Sequence, residues 1–443
     1  MKKIKNMSES SFLKLMFAFV GVAFLVAAFC MPDRFHMLNG FWLILSQPCK
    51  VSTNFFSVGG FSATFLNMGL VALIMAGLFH VTKTKVNNVS TLAFFLTLGF
   101  CSWGIHVINM WFTMLGVVAA NLIKKEKFYA NVNAMLFTTG VAPVISDLLL
   151  RYPHAEAIGF NLLGVVLAVV VGVIVGIVVS AGLPHSPNVH KGFNLYSAAL
   201  PVGMAMFFLN GMLYKVMGID LPGTTGDMAV GSQSIVNIFC VILFALCVIA
   251  ALAMGAGKDY WNLLKNRDQV NNVSGTLGNG VLLMNVGVYG LFILAYYNII
   301  GAPFIGVTFG LIFCMLCTCN SGSRPTNVWP IMLGYVVASF VTGWISPLLG
   351  GNFSLAVNAQ AIVIGLCYAN GLSPICDKYG WAHGFVAAMI HYCLVTLVPG
   401  LHGGFCLYNG GFTAIFVCII LVPVLEKFCK TKEARKAAKA ESK

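Results

Sequence analysis

The stretch that decides the fold is Cys-Asn-Ser-Gly-Ser-Arg-Pro-Thr-Asn at residues 319–327, a polar segment enclosed by apolar sequence. It lies between apolar runs at 304–318 and 328–345, which are 15 and 18 residues long. A helix needs about 20 apolar residues to cross a bilayer, so both runs are short. We therefore predict a re-entrant hairpin or a pair of broken helices with this segment at the tip. Such backbone is tolerated at membrane depth only where protein or a water-filled cavity surrounds it.

Arg324 is the only arginine or lysine between Arg267 and Lys378. A cation inside a membrane domain is a candidate for a functional site, and a helix start beside it favours a negative ligand group. The alternative is a flanking charge that only sets topology. Four neighbours are predicted to share a substrate site with Arg324: Ser321, Ser323, Thr326 and Asn327.

The polar tip has a twin in the first half of the chain. Gly-Ile-His-Val-Ile-Asn-Met-Trp at 104–111 matches Gly-Ser-Arg-Pro-Thr-Asn-Val-Trp at 322–329, with an offset of 218 residues. The alignment sets His106 opposite Arg324 and Asn109 opposite Asn327. We predict that His106 and Asn109 also belong to the substrate site.

The same offset relates Asn67 to Asn285, and both lie in the middle of apolar runs. An amide without a hydrogen-bond partner in lipid costs several kcal/mol, so each must face a partner or a cavity. Substrate binding and helix–helix contact are both compatible with this position.

A Gly-x-x-Pro motif also recurs, at 140–143 and 371–374, and an aspartate follows each copy, Asp147 and Asp377. These aspartates are candidates for coupling transport to protons or sodium. The structural alternative has them cap helices or pair with Arg151 and Lys378.

The composition excludes a soluble domain. Of 443 residues, 59% are hydrophobic and only 9% are charged, whereas a soluble domain carries about 25% charged residues. The net charge of +13 lies mainly in short loops between apolar runs, which is an orientation signal and does not indicate a nucleic-acid partner. The chain is therefore an all-α polytopic membrane protein, and its partners are the lipid bilayer and a small-molecule solute.

Cofactor and enzyme signatures are missing from the sequence. The Cys-x-x-Cys-x-Cys at 314–319 has no histidine or carboxylate close by, so we predict neither a metal site nor another cofactor. The chain carries no P-loop, nucleophile elbow, HExxH or dinucleotide fingerprint. These observations argue against an ATP-driven pump or a common hydrolase, and we do not predict an enzyme.

The repeats divide the chain into a first transmembrane repeat at 1–217, a linker at 218–233, a second repeat at 234–426 and a basic cytoplasmic tail at 427–443. Each repeat has about five spans plus the re-entrant hairpin or broken helix pair, which gives about 10–14 membrane segments in all. Duplications of this kind are typical of transporter folds. The GxxxG at 172–176 favours internal helix packing over a dimer seam, and a homo-oligomer stays open.

The basic residues favour inverted repeats. With the N-terminus inside and an odd number of crossings per half, 22 of the 26 lysines and arginines lie inside and only Arg34, Lys50, Arg151 and Lys215 lie outside. An even number would send Lys258, Lys265 and Arg267 outward. The positive-inside rule therefore predicts a multi-pass protein of the cell membrane, a bacterial inner membrane, with both termini cytoplasmic.

A tyrosine motif completes the duplication, with Gly-Phe-Asn-Leu-Tyr-Ser-Ala at 192–198 and Gly-Phe-Cys-Leu-Tyr-Asn-Gly at 404–410. Tyr196 and Tyr408 are candidates for lining a substrate path or for an interfacial belt. These twin stretches resemble a family of uncharacterised bacterial multi-pass membrane proteins built from a duplicated domain of unknown function. The resemblance covers nearly the whole chain and supplies no activity or site residues. The layout is similar to inverted-repeat secondary transporters and urea-type channels by analogy of architecture only.

Three functions are compatible with this sequence. The first is a secondary transporter of a small anionic or zwitterionic solute, with its site near the midplane between the tips around His106 and Arg324. The second is a passive channel for a small polar solute. The third is an integral-membrane enzyme acting on lipid or prenyl substrates.

Overall fold

The computed structural model describes residues 2–223, 231–265, 269–352 and 355–441. The predicted linker falls partly outside these residues, as does Arg267. The described part contains helices and no strand. Nine of its helices are long and apolar enough to cross a membrane, and four further apolar helices are shorter. The predicted all-α polytopic fold is confirmed.

The first half contains α1 (Lys2–Lys5), α2 (Glu9–Cys30), α3 (Met37–Leu45), α4 (Phe55–Val81), α5 (Asn88–Phe100), α6 (Met110–Ile123), α7 (Val132–Thr138), α8 (Ala142–Leu150), α9 (Leu162–Gly182), α10 (Ser186–His190) and α11 (Ala199–Asn210). The second half contains α12 (Gln233–Ala253), α13 (Gly257–Lys265), α14 (Val273–Leu277), α15 (Asn279–Ile299), α16 (Gly306–Leu316), α17 (Pro325–Leu348), α18 (Gln360–Ala369), α19 (Ser373–Tyr379), α20 (Trp381–Val395), α21 (Val398–Leu401), α22 (Asn409–Phe428) and α23 (Lys432–Glu441).

The duplication found in the sequence extends to the backbone. Helix α4 bends at Gly60, where φ is 86°, and the pair α14–α15 is broken at Gly278, where φ is 99°. The two glycines are 218 residues apart, which is the offset of the sequence repeat. Both use the left-handed region that glycine enters without a steric penalty. The two halves therefore repeat the same local geometry.

Helices α5 and α16 occupy equivalent positions in the halves and pack against each other in antiparallel orientation. At one end, the Gly306 N–H at the start of α16 donates to Asn54 Oδ1 (2.8 Å), while Phe55 N–H donates to Ser102 O beyond the end of α5 (3.3 Å). At the other end, Asn320 Nδ2 donates to Thr91 Oγ1 (3.1 Å). In the middle, a Cβ on Gly310 would lie 2.1 Å from the carbonyl oxygen of Gly99, so glycine is required for this close approach.

The GxxxG of α9 serves packing within the chain. A Cβ on Gly176 would lie 2.1 Å from the carbonyl carbon of Gly116 on α6, and a Cβ on Gly116 would lie 2.2 Å from Gly172 O. The absence of side chains lets the two helices approach to backbone contact.

One end of the helix bundle, which we call the tail face, gathers both chain termini. Glu9 Oε1 accepts from Ser274 Oγ (2.7 Å), Ser10 Oγ accepts from Val86 N–H (3.0 Å), and Arg435 on α23 donates to Tyr379 O. The opposite end, which we call the far face, includes Lys50, whose Nζ donates to Pro222 O.

Candidate functional site

The second polar tip joins a short helix to a long one. Helix α16 continues as a 3-10 turn at Cys317–Ser321 and stops at Gly322, where φ is 100° and a Cβ would lie 2.0 Å from Val270 O. Pro325 then begins α17, as its fixed φ favours. The prediction of two short arms holds for α16 but is wrong for α17, because its 24 residues extend beyond the apolar run at both ends and can cross a bilayer.

Arg324, the last residue before α17, forms a buried ion pair with Asp377. Its Nη2 lies 3.0 Å from Asp377 Oδ1 and its Nη1 lies 3.3 Å from Oδ2, and the two side chains are only 1% and 5% exposed. Arg324 Nη1 also donates to Gly322 O (2.9 Å). The guanidinium therefore holds a carboxylate in the two-pronged geometry that arginine favours.

Asn327 fixes both partners of this pair. Its Oδ1 accepts from the backbone N–H of Arg324 (2.9 Å), and its Nδ2 donates to Gly322 O (3.1 Å) and to Asp377 Oδ2 (2.9 Å). Asp377 reaches this position because a 3-10 turn at Asn370–Leu372 separates α18 from α19 and Pro374 starts the new helix. Asn327 thus connects the tip to the break in the neighbouring helix.

The ion pair forms part of the wall of a cavity of about 730 Å³ on the tail face. Five basic residues and one acidic residue line it: Lys265, Arg324, Lys432, Arg435, Lys436 and Asp377. Trp329 and Trp381 stack at its rim, with ring centroids 5.9 Å apart, and both remain substantially exposed. Exposed tryptophans of this kind are typical of the membrane–water interface, so the cavity opens at that level.

The first tip repeats this arrangement without charges. Asn109 Oδ1 accepts from the backbone N–H of His106 (2.9 Å), and its Nδ2 donates to Gly104 O (3.0 Å) and to Ser146 Oγ (2.9 Å). His106 Nε2 lies 3.1 Å from the same hydroxyl. His106 and Ser146 therefore stand where Arg324 and Asp377 stand in the second half.

The structure does not bring His106 and Arg324 together. Their tips follow the ends of the antiparallel helices α5 and α16, and the 13 residues of α5 extend for about 20 Å. The predicted site between the two tips is therefore wrong. In inverted halves, equivalent tips point from opposite sides, and here they do not extend far enough to meet.

Asn67 and Asn285 support the tips. Asn67 Nδ2 donates to Cys101 O (2.7 Å) and Ile105 O (2.8 Å), and Asn285 Nδ2 donates to Cys319 O and Ser323 O, both at 2.9 Å. Both side chains are fully buried within the protein. Their amide donors are used by the backbone, which favours the structural alternative, and substrate contact stays a prediction.

Tyr196 and Tyr408 lie in the protein core and do not line the cavity at Arg324. Tyr196 OH donates to Asn370 Oδ1 (2.7 Å), and the Tyr408 ring packs against Gly140 and Phe100. Each motif reaches into the other half, because Leu195 N–H donates to Gly371 O (3.0 Å) and Leu407 N–H donates to Gly140 O (2.8 Å).

The two aspartates have different environments. Asp147 accepts from Arg151 through both oxygens (2.6 and 2.8 Å) and from Tyr214 OH (2.6 Å), as the structural alternative expected. Asp377 is paired with Arg324 and not with its neighbour Lys378, whose Nζ lies 4.9 Å from the centroid of the Phe193 ring. Only Asp377 lines the basic cavity.

The hydroxyls near Arg324 also separate. Thr326 is exposed and lines the basic cavity, while Ser323 Oγ lies 3.2 Å from Ser373 Oγ in the core. Ser321 belongs to a different cavity.

Sequence reasoning missed the role of Asp377 as the partner of Arg324, and it missed the four basic residues that share the cavity with Arg324. One signal was present. Ser146 and Asp377 each follow the proline of the Gly-x-x-Pro motif by three residues, which sets Ser146, and not Asp147, opposite Asp377.

Comparison of the chain with curated proteins and with solved structures found no match. A family model described as a protein of unknown function, DUF1576, matches residues 34–215 and 253–427, one segment in each half. The match confirms the predicted resemblance to a duplicated domain of unknown function. The chain is therefore a member of the DUF1576 family of proteins of unknown function.

Proposed function

We propose that this polytopic membrane protein is a secondary transporter of a small anionic solute, and that the Arg324–Asp377 pair is its substrate site. The observation that carries the proposal is a buried guanidinium that holds a carboxylate at the wall of a basic cavity. Charged residues within membrane domains are rare and mark solute or ion pathways. A buried ion pair is also weak support for stability alone, because desolvation offsets most of the attraction.

The geometry supports an exchange of carboxylates. Asp377 occupies both donor positions of the Arg324 fork, which a carboxylate or phosphate of the solute fits equally well. A solute that enters from the cavity displaces Asp377 and takes over the guanidinium. The cavity volume of about 730 Å³ accommodates a metabolite-sized anion.

This exchange provides a route for coupling to protons. Once displaced, Asp377 is a buried carboxylate without its guanidinium, and a buried charge of this kind takes up a proton because its ionised form is poorly solvated. One monovalent anion and one proton enter the site together, so the net charge of the site stays the same. Asp377 is thus the proposed proton carrier, and Asp147 is a structural residue.

The duplicated architecture supports alternating access. Equivalent helices α5 and α16 run antiparallel, as expected for inverted repeats, and the uncharged tip at His106 belongs to the opposite end of this helix pair. Inverted repeats in transporters rock against each other around a site near their interface.

The inverted arrangement predicts which loops are cytoplasmic. Single cysteines placed at positions 83 and 265, in a background depleted of native cysteines, should react with an impermeant maleimide only from the cytoplasmic side, because both exposed lysines lie on the tail face. Cysteines at 50 and 215 should react only from outside. Labelling of positions 50 and 265 from the same side would contradict inverted repeats.

Uptake by proteoliposomes tests the function itself. We expect saturable uptake of small labelled carboxylates that an inward proton gradient accelerates, with little uptake of urea or glycerol. Protein-free liposomes and liposomes with Arg324→Ala protein are the controls. Rapid uptake of urea or glycerol together with absent anion uptake would contradict an anion transporter.

A second cavity favours the alternative of a channel for a small polar solute. It also measures about 730 Å³ and lies between segments of both halves, and neither a lysine, an arginine nor a carboxylate is among the described residues that line it. Its polar lining includes Asn133, Asn194 and His190, whose Nε2 lies 2.9 Å from Ser197 Oγ. Uncharged amides and hydroxyls suit a neutral solute, so the urea and glycerol arms of the uptake experiment decide between the two functions.

A further inference from the structure

The C-terminal helix α23 supplies much of the positive charge at the basic cavity. Lys432, Arg435 and Lys436 line the cavity together with Arg324 and Lys265. Helix α23 is fixed in this position by contacts to the end of α19, because Arg435 donates to Tyr379 O, and its Nη2 lies 3.6 Å from where a Cβ would stand on Gly380. The tail is therefore part of the cavity wall and not only a solvated extension.

The charge of the lining exceeds what a monovalent anion requires. Arg324 alone offers the two parallel donors that one carboxylate uses. The remaining four basic residues surround the space beyond it, and Asp377 is the sole carboxylate among the described lining residues. Each further negative charge on a bound solute gains attraction from these cations, most strongly where the cavity walls exclude water.

We propose that the cavity selects small multivalent anions, such as di- or tricarboxylates or phosphate esters, and that α23 is the element that distinguishes them from monovalent anions. The inference rests on the proposed function and specifies its substrate class. One negative group of the solute binds Arg324 in place of Asp377, and the others face Lys432, Arg435 and Lys436. A soluble anion is favoured over a lipid headgroup because the buried guanidinium of Arg324 forms the wall of the cavity.

Binding to the full-length protein in nanodiscs of phosphatidylcholine tests this inference. Isothermal titration with acetate, succinate, citrate and inorganic phosphate at low salt should give dissociation constants for succinate and citrate at least about tenfold below that for acetate. Raising the salt concentration should reduce this difference, because screening acts most strongly on the multivalent ligand.

The variant Lys432→Gln/Arg435→Gln/Lys436→Gln should lose most of the preference for citrate while its affinity for acetate stays within about threefold of wild type. The matched control Lys124→Gln/Lys125→Gln/Lys127→Gln removes three exposed charges outside the cavity lining and should keep the preference.

The outcomes separate the two proposals. If acetate binds as tightly as citrate, or the α23 variant keeps the preference, the multivalent substrate class is wrong while the anion site stands. If no anion of any valence binds the wild-type protein, the proposed function fails as well. If citrate does not bind in phosphatidylcholine and the α23 variant instead loses thermal stabilisation by phosphatidylglycerol, the cations of α23 serve lipid headgroups and the inference is overturned.

Discussion

Asp377→Ala should lower the unfolding temperature of the purified protein strongly, and small carboxylates should restore it. Removing one partner of a buried ion pair leaves an uncompensated charge and costs about 3–5 kcal/mol. Arg324 is 1% exposed and Asp377 is 5% exposed, so solvent cannot replace the missing carboxylate. The alanine also leaves space beside the guanidinium, next to an open cavity.

Formate or acetate can enter that space and bind Arg324 as Asp377 did. A ligand at 100 times its dissociation constant stabilises the folded state by about 2.7 kcal/mol, which would recover most of the loss. The measurement is the unfolding temperature in detergent across a formate series, with chloride exchanged for formate at constant ionic strength.

Asp147→Ala is the matched control, because it also breaks a buried pair of aspartate and arginine, in this case with Arg151. Asp147 and Arg151 do not line the basic cavity, so formate should not restore this variant. Equal recovery in both variants, or none in Asp377→Ala, would show that the guanidinium of Arg324 is not accessible to anions from the cavity.

The repeated tips could be predicted from the sequence because their contacts are local. Asn109 and Asn327 each bind back to residues three and five positions earlier, so the sequence offset of 218 carries the geometry with it. The buried amides of Asn67 and Asn285 followed from the cost of placing an amide in lipid.

The ion pair could not be predicted in the same way. Arg324 and Asp377 are 53 positions apart, and their contact depends on how α19 packs against α17 after the break at Asn370–Leu372. The full length of α17 was missed for a related reason. A count of apolar residues omits Pro325, Thr326 and Asn327, which are helical because the tip supplies their hydrogen-bond partners.

The cavity lining depends on the position of the tail. A basic segment at the end of a chain usually indicates attraction to an anionic membrane surface. Its contact with α19 requires tertiary structure, since Arg435 and Tyr379 are 56 positions apart.

The second large effect is expected from Arg324→Lys. Lysine keeps the positive charge and can still pair with Asp377, so we expect the unfolding temperature to change little. It cannot offer two parallel donors to a carboxylate. Loss of one charge-assisted hydrogen bond costs about 1.5–3 kcal/mol, and uptake of an anion should therefore fall by about tenfold or more.

Uptake of a labelled dicarboxylate by proteoliposomes containing wild-type, Arg324→Lys or Arg151→Lys protein tests the central claim most directly. The Arg151→Lys variant carries the same substitution in the buried pair with Asp147 and controls for disruption of an ion pair. The account predicts that Arg324→Lys loses at least about nine-tenths of the initial rate, while Arg151→Lys stays close to wild type. Full uptake by Arg324→Lys would contradict it, because a residue that only sets topology can be replaced by any cation.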